Sequence, residues 1–502
     1  MMLSALILLP LVGAVLLGLQ RGLDARGAGR QAGFWALVIA FLAAIPNPSK
    51  PAEWTLAWMD DGAFSFRFAI DGISWLFLVL TGVVTLLAIL ASLLWEKGSR
   101  AYFALILVIE SALFGVFTAR HFIPWFLFWE MTLIPAFLLI HLWGGTGARK
   151  AALRFFIATL GGSAFLLVGF LALQFAVGTM DFDALAKLAT HSEIAPKLAV
   201  AFGMPAVAGH NLLVMVALAV LLGLAVKSPI VPLHIWLPAA YTEAPTPVTM
   251  ILTGLLSKMG VYGLLRIFLP VFPEVLPSLA PLLLGLSVAT VLLGAVAALA
   301  QTDLKRMMAY SSVNHLGYCA LAIAAVAAGG GREEISSAIT GVVYQAFNHG
   351  IIAAALFFGI GILEQRSGGR RGLSDFGGLR SAMPVFCGLF GIATFASLGL
   401  PGLGGFVGEF LIFNGVFGLK PLAASLSAIG LLLTAVFLLR MIRKVFAGPL
   451  RNTTHPPADL CPSERGLLGA AVAIMFLTGL LPAVLFSTAN PAILELVKIL
   501  HP

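Results

Sequence analysis

Apolar runs of about twenty residues, the length that crosses roughly 30 Å of hydrocarbon as an α-helix, follow one another along this 502-residue chain with only short polar breaks between them. Inside lipid the backbone has to satisfy its own hydrogen bonds, so a bundle of membrane helices is the architecture this pattern dictates. With 60% hydrophobic and 10% charged residues, the sequence excludes a string of water-soluble domains. The fold class predicted is an all-α membrane protein with about 14 transmembrane helices by the length criterion. They begin near Leu3, Gly33, Asp71, Ala101, Phe122, Ala151, Asn211, Val248, Pro281, Met307, Ser336, Met383, Pro421 and Gly466. The longest breaks, 46–70, 179–210, 364–382 and 447–465, are too short for a soluble domain. The first run has no Lys or Arg before it and is followed by Arg21, Arg26 and Arg30, so it reads as a retained span and not as a secretion signal.

Lys and Arg are concentrated in the loops that follow odd-numbered spans. The positive-inside rule places those loops in the cytoplasm and both ends of the chain on the opposite side. The net charge of +8 is scattered over these short loops and forms no basic stripe, which argues against nucleic acid. Cys319, Cys387 and Cys461 stand far apart with no C-x-x-C spacing, so an iron–sulfur cluster, structural zinc or disulfide framework is not expected in this chain. No Walker A sequence is present, nor a strand–G-x-G-x-x-G–helix context, which leaves ATP-driven transport without support.

Two cations fall outside the loops. Lys227 and Lys258 lie inside apolar runs, where a charge costs about 2.5–3.5 kcal/mol on the translocon scale. Lys227 opens the Pro-rich stretch ending at Pro238, and a second interruption runs from Leu398 through Pro401 and four glycines to Glu409. Proline removes a donor and clashes with the preceding turn, so carbonyls are freed at membrane depth, tolerable only against protein or a watery cavity. The five-span separation of these breaks predicts two inverted five-helix repeats, each with one discontinuous helix. The resulting division is 1–100 for the first three helices, 101–270 and 271–446 for the repeats, and 447–502 for a loop and the last helix.

The ionisable residues at membrane depth form a row. Glu130 lies midway along the fifth span, and within about 4 Å of Lys227 the two would hold each other charged, with an attraction of several kcal/mol at an effective dielectric near 20. Separating them would release the lysine's proton; the alternative is a static ion pair joining two helices. Lys258, near the centre of the eighth span, is a candidate proton carrier. His315 and His349, in the tenth and eleventh spans, can each donate and accept, although buried histidines are often only structural. Glu409 ends the row, or caps its helix. Glu110 lies mid-span with its role open, and His234 either orients the broken seventh span or carries protons. Asp71 and Asp303 sit at span ends, where helix capping suffices.

The segments Phe128-Trp-Glu-Met131, Val226-Lys-Ser-Pro-Ile-Val-Pro-Leu-His-Ile-Trp-Leu-Pro238, Asp303-Leu-Lys-Arg-Met-Met-Ala-Tyr-Ser-Ser-Val-Asn-His-Leu-Gly317 and Gly405-Phe-Val-Gly-Glu-Phe410 closely resemble the antiporter-like membrane chains of NADH–quinone oxidoreductase, respiratory complex I (NDH-1). The likeness covers nearly the whole chain. Glu409 stands where the L and N chains and the Mrp cation/proton antiporter subunits usually carry lysine, and no long lateral helix follows the last spans, so the resemblance is to the chain M type. It implies that Glu130 and Lys227 are a gating pair, Lys258 the central carrier, His315 and His349 a hydrated connection and Glu409 the terminal site. It implies a proton-translocating role with no redox chemistry in this chain. NADH or ferredoxin, FMN, iron–sulfur clusters and quinone would be used by other subunits, and neighbouring antiporter-like chains L and N would be the partners. The implied location is the bacterial inner membrane, or a thylakoid membrane for the ferredoxin-driven relatives. An Mrp-type antiporter, a ferredoxin-driven complex and an inert membrane scaffold are the competing readings.

Overall fold

The computed structural model describes residues 2–20, 22–45, 52–57, 65–95, 98–451 and 457–501, so Arg21 of the basic cluster lies outside the described residues. Twelve helices among them are long and apolar enough to cross a membrane, and Leu3–Leu19, Pro384–Ser397 and Gly404–Leu419 are shorter apolar helices. Leu304–Ala327 has the length of a span, but Ser311, Ser312, Asn314 and His315 on it make it less apolar. The bundle is layered by exposure. The apolar windows of Thr246–Val271 and Arg332–Arg366 are entirely covered by other helices, whereas those of Ala148–Val177, Leu276–Ala300 and Pro421–Phe446 are only 39% buried. Large side chains such as Ile157, Phe175, Leu432 and Phe417 stand on the outer surface, as they do where the solvent is lipid. The two enclosed helices carry Lys258 and His349.

Both predicted discontinuities are present. Ala208–Lys227 ends at the lysine itself, and the chain resumes helix at Trp236–Glu243 after a short 3-10 turn, Leu233–Ile235. The freed backbone is satisfied locally: the Trp236 indole donates to Val226 O at 2.8 Å, Ile230 N donates to Ala225 O at 3.0 Å, and Val231 N donates to Thr290 Oγ1 at 3.0 Å. The second break separates Pro384–Ser397 from Gly404–Leu419. At Gly399 the backbone has φ +80°, and a Cβ there would lie 2.7 Å from Glu409 Oε2, so glycine lets the break fold back against that carboxylate.

The all-α membrane fold is as expected, and four features add detail to it. The break after the second span holds a short antiparallel ribbon, Ala52–Ala57 paired with Ser65–Ile70, in the register Trp54 to Phe68. Its aromatic and β-branched residues pair across strands and fit a half-buried pleated surface, Trp54 stacking on Phe68 at 5.4 Å. The break 179–210 contains two short helices, Phe182–Thr190 and Ile194–Ala201, the first capped by Asp181 accepting from Ala184 N. The last span stops at Leu480, and a further helix, Ala483–Leu500, follows Pro482. Finally, Thr246–Val271 is not a uniform α-helix, because Leu252–Leu256 and Leu264–Phe268 have π geometry on either side of Ser257–Gly263. Such bulges are over-represented at functional sites.

Candidate proton-path residues

Lys258 is completely buried on the short α-helical piece between the two π segments. Its ammonium nitrogen reaches back to Thr253 O, five residues upstream within the bulged turn, lies 3.5 Å from Ser257 Oγ and meets His349 Nδ1 at 2.8 Å. The bulge thus exposes a carbonyl that holds the lysine in the bundle centre. His349 is buried on Arg332–Arg366, and its ring centroid is 5.4 Å from that of His315 on Leu304–Ala327. His315 Nδ1 lies 3.0 Å from Glu409 Oε1, and its Nε2 lies 3.2 Å from Ser397 Oγ at the edge of the second break. Gln345 Nε2 donates to the same Glu409 oxygen at 3.3 Å. Four residues from four helices therefore form one chain of contacts, Lys258–His349–His315–Glu409. Glu409 is in the second turn of Gly404–Leu419 and caps nothing, which removes the helix-capping alternative.

The other half of the row is organised differently. Lys227 is buried with its nitrogen over aromatic faces, 5.2 Å from the Trp129 centroid and 5.8 Å from that of Phe155. Trp129 is fixed by its indole donating to Ser163 Oγ at 3.1 Å. Glu130 is half-buried, and the contact within 4 Å expected of it and Lys227 is not formed among the described ion pairs; its charge reaches the lysine only through space. Glu130 is the penultimate residue of Phe122–Met131, before the interruption at Thr132, and it is the neighbouring Trp129 that presents its ring face to the lysine. A cation over a desolvated indole face gains about 2 kcal/mol or more, which supplies part of what the carboxylate does not.

Ser228, which no sequence signal singles out, joins the halves. Its buried Oγ has no hydrogen-bond partner, and a Cβ on Gly260, two residues past Lys258, would sit 2.2 Å from it. The helix bearing Lys258 is thus packed against the break that follows Lys227, with an unengaged hydroxyl at the contact.

The weaker candidates separate. Glu110 is completely buried and neither carboxyl oxygen has a partner. His234 is half-buried beside Tyr310, 6.3 Å between ring centroids, and touches no member of the row through a described contact. Asp71 and Asp303 are helix caps, accepting from Ser74 N at 2.8 Å and Arg306 N at 2.9 Å. Asp71 also binds Arg120 at 2.6 Å and pairs with Arg266, at the floor of a cavity of about 1140 Å³ whose other walls include Arg67, Asp181, Asp183 and Glu274. Lys305 pairs with Glu364 at 2.7 Å at the other end of the bundle. Among the described residues no group of three or more His, Cys, Asp or Glu is disposed to hold a metal ion.

Comparison with known proteins gives a consistent result. Residues 119–436 match the sequence profile described as NADH:quinone oxidoreductase/Mrp antiporter, TM. The chain is 33% identical to NADH-quinone oxidoreductase subunit M of Rhodobacter capsulatus, over 100% of this chain and 97% of that one. It is 35% identical to an NAD(P)H-quinone oxidoreductase chain 4 of Nostoc sp., over 98% of this chain and 90% of the other. Among solved structures, a chain of respiratory complex I from Thermus thermophilus with bound NADH superposes with a TM-score of 0.85 at 28% identity, covering 100% of both chains.

Proposed function

This chain belongs to the NADH:quinone oxidoreductase/Mrp antiporter transmembrane family, as a subunit of the chain M type, and from that premise we propose how it works. It moves protons across the membrane along its buried Lys, His and Glu side chains, while the redox reaction runs in other subunits of the complex. The observation that carries this reading is the Lys258–His349–His315–Glu409 row in the buried centre of the bundle, hydrogen-bonded at both ends and bridged by two histidine rings 5.4 Å apart.

A proton on Lys258 has one acceptor ring nitrogen in contact, His349 Nδ1. Transfer breaks a lysine N–H bond and forms an imidazole N–H bond, leaving a neutral amine in an apolar setting and an imidazolium facing His315. An N–H bond of His349 then breaks as one forms on His315, and His315 releases its Nδ1 proton to the Glu409 carboxylate 3.0 Å away, so that both rings end neutral and Glu409 ends protonated. Lys227 is the switch for the first step. With its charge held by Trp129 and by the more distant Glu130 field, movement of either helix changes the electrostatic cost of charging Lys258 across the Ser228–Gly260 contact. The two repeats, 101–270 and 271–446, each contribute one broken helix to this row. NADH or ferredoxin, FMN, iron–sulfur clusters and quinone belong to other subunits on this reading, and chains of the L and N type flank this one in the membrane arm. The host membrane is the bacterial inner membrane, with both ends of the chain on its non-cytoplasmic side.

The test is made in vesicles containing the assembled complex. Lys258→Ala is expected to abolish quinone-dependent acidification while the complex still assembles and, with the membrane made leaky, still reduces quinone. Robust sodium/proton exchange without quinone reduction would instead establish the Mrp-type antiporter, and unchanged pumping in Lys258→Ala would leave an inert scaffold.

A further inference from the structure

Glu110 is the one buried carboxyl of the described row that no other side chain engages, and its surroundings are unusual in a specific way. It sits in Arg100–Thr118, which runs antiparallel to Gly72–Leu94. Two contacts set the register of that pair: Phe77 against Phe117, 4.9 Å between centroids, and Ser92 Oγ against Tyr102 OH at 3.1 Å. Counting inward from either contact puts Glu110 level with Val84 and Thr85.

Thr85 is also buried, and its Oγ1 has no hydrogen-bond partner. Its neighbours do otherwise. Thr81 donates to Phe77 O at 2.7 Å, Ser92 to Ala88 O at 2.8 Å and Thr118 to Phe114 O at 2.7 Å, each closing onto its own helix. Thr85 leaves that bond unmade. Two unengaged polar groups on facing turns are costly unless they serve each other or a water in another state. Beside them lies Lys258's helix: Val84 Cγ1 would be 2.8 Å from a Cβ on Gly254, next to Thr253, whose carbonyl binds the Lys258 ammonium.

We propose that Glu110 is a working proton-exchange carboxyl, which with Thr85 forms a lateral proton-holding site against the bulged turn that carries Lys258. The proposal rests on the proton path above and adds to it a member from outside the Lys–His–Glu chain and a hydroxyl from the third helix, which precedes both repeats. When Lys258 passes its proton to His349, the Glu110 O–H bond breaks and an N–H bond forms on Lys258, relayed by the Thr85 hydroxyl, which gives up one proton as it takes another. The carboxylate so formed attracts the next cationic charge towards the centre. It is reprotonated when Lys258 returns a proton through Thr85, one lysine N–H bond breaking as the Glu110 O–H bond forms, and a proton arriving past Lys227 takes the vacated place on the lysine.

The experiment compares Glu110→Gln, Glu110→Asp and Lys258→Ala in vesicles holding the assembled complex, with quinone reduction under uncoupled conditions as the control for assembly. Gln keeps the volume and loses the acid, whereas Asp keeps the acid and loses a methylene. The expected result is a several-fold lower initial pumping rate for Gln and a rate for Asp that lies above it. In infrared difference spectra of turnover, a protonated-carboxyl carbonyl band that shifts in heavy water is expected in the wild type and absent in Gln. Packing alone predicts the reverse order, Asp worse than Gln, and that order, or wild-type pumping by Gln with the band retained, overturns the proposal. Wild-type pumping by Lys258→Ala would instead overturn the proton path on which it rests.

Discussion

Replacing His349 by alanine cuts the chain of contacts at a single, measurable place. Lys258 has three described hydrogen-bond partners, and two of them, Thr253 O and Ser257 Oγ, belong to its own helix; the 2.8 Å contact with His349 Nδ1 is its only described hydrogen bond to another helix. A hydrogen bond to a charged group contributes about 1.5–3 kcal/mol. At about 1.36 kcal/mol per factor of ten, a step that depends on that contact slows by about 10- to 150-fold. Removing the ring also takes away the path to His315, so the upper end applies if no water replaces it. The assay is the initial rate of quinone-dependent acidification in vesicles, normalised to uncoupled quinone reduction. Glutamine is the informative companion, because its amide oxygen accepts from the ammonium but cannot carry the proton onward. Both variants are expected to lose pumping, with the glutamine complex keeping wild-type thermal stability. Wild-type pumping by His349→Gln would refute the argument that protons pass through this ring.

Three further perturbations test the packing that supports the path. Gly260→Ala would put a methyl carbon 2.2 Å from Ser228 Oγ and 2.5 Å from Ser228 N, an overpacking worth about 1–3 kcal/mol; a lower melting temperature together with slower pumping is expected, and neither changing would mean the halves are not coupled at this contact. Asp71→Asn leaves Arg120 and Arg266 without their carboxylate; removing one partner of a buried pair costs about 3–5 kcal/mol, and because these side chains keep some exposure the low end applies, read as a fall in the melting temperature of the purified complex. Asp459, in the loop before Pro462–Leu480, is pushed up by burial but held below the ordinary carboxylate range by the N–H groups of Val385, Leu460 and Phe386, which outweigh it. Its folded-state affinity for protons is depressed, so its stabilisation is fully present above the unfolded value of about 3.9 and is lost as pH falls through the folded one. Asp459→Asn should therefore flatten the acid limb of the stability curve, and an unchanged limb would sink the assignment.

What the sequence disclosed follows from which forces act locally. The apolar runs and Pro-Gly breaks state their consequences in one dimension, because lipid leaves the backbone few choices, and both discontinuous helices are where Lys227 and Gly399 imply. The buried residues Lys258, His315, His349 and Glu409 were visible as charges and imidazoles in apolar runs. Their contacts were not, since each comes from a different helix and Lys258 meets His349 across 91 positions. The Glu130–Lys227 pair was expected to touch; the Trp129 face that takes the carboxylate's place is indistinguishable in sequence from a core aromatic. The π segments around Lys258 have no composition of their own that the sequence would disclose; Val84 packs against the first of them at Gly254. The ribbon at Trp54 and Phe68 was hidden by its shortness, and Ala483–Leu500 by running on from an apolar span with only Leu481 and Pro482 between.

The stretch 341–363 of Arg332–Arg366 is buried on every side, and this bears on the order in which the chain can be built. A helix that ends up enclosed, with Gln345, Asn348 and His349 at membrane depth, leaves the translocon before the segments that will cover it, since Gly404–Leu419 and Pro462–Leu480 are synthesised later. During that interval its polar stripe faces lipid, or the already inserted Gly72–Leu94 and Thr246–Val271, whose contacts with it involve Leu80 and Gly254 against Gly350. Those two glycines let the early helices meet closely enough to shelter it. Biogenesis of the chain therefore depends on the same close approach that later positions its protons, and a bulkier residue at Gly350 would be felt first as a failure of insertion, before any turnover is measured.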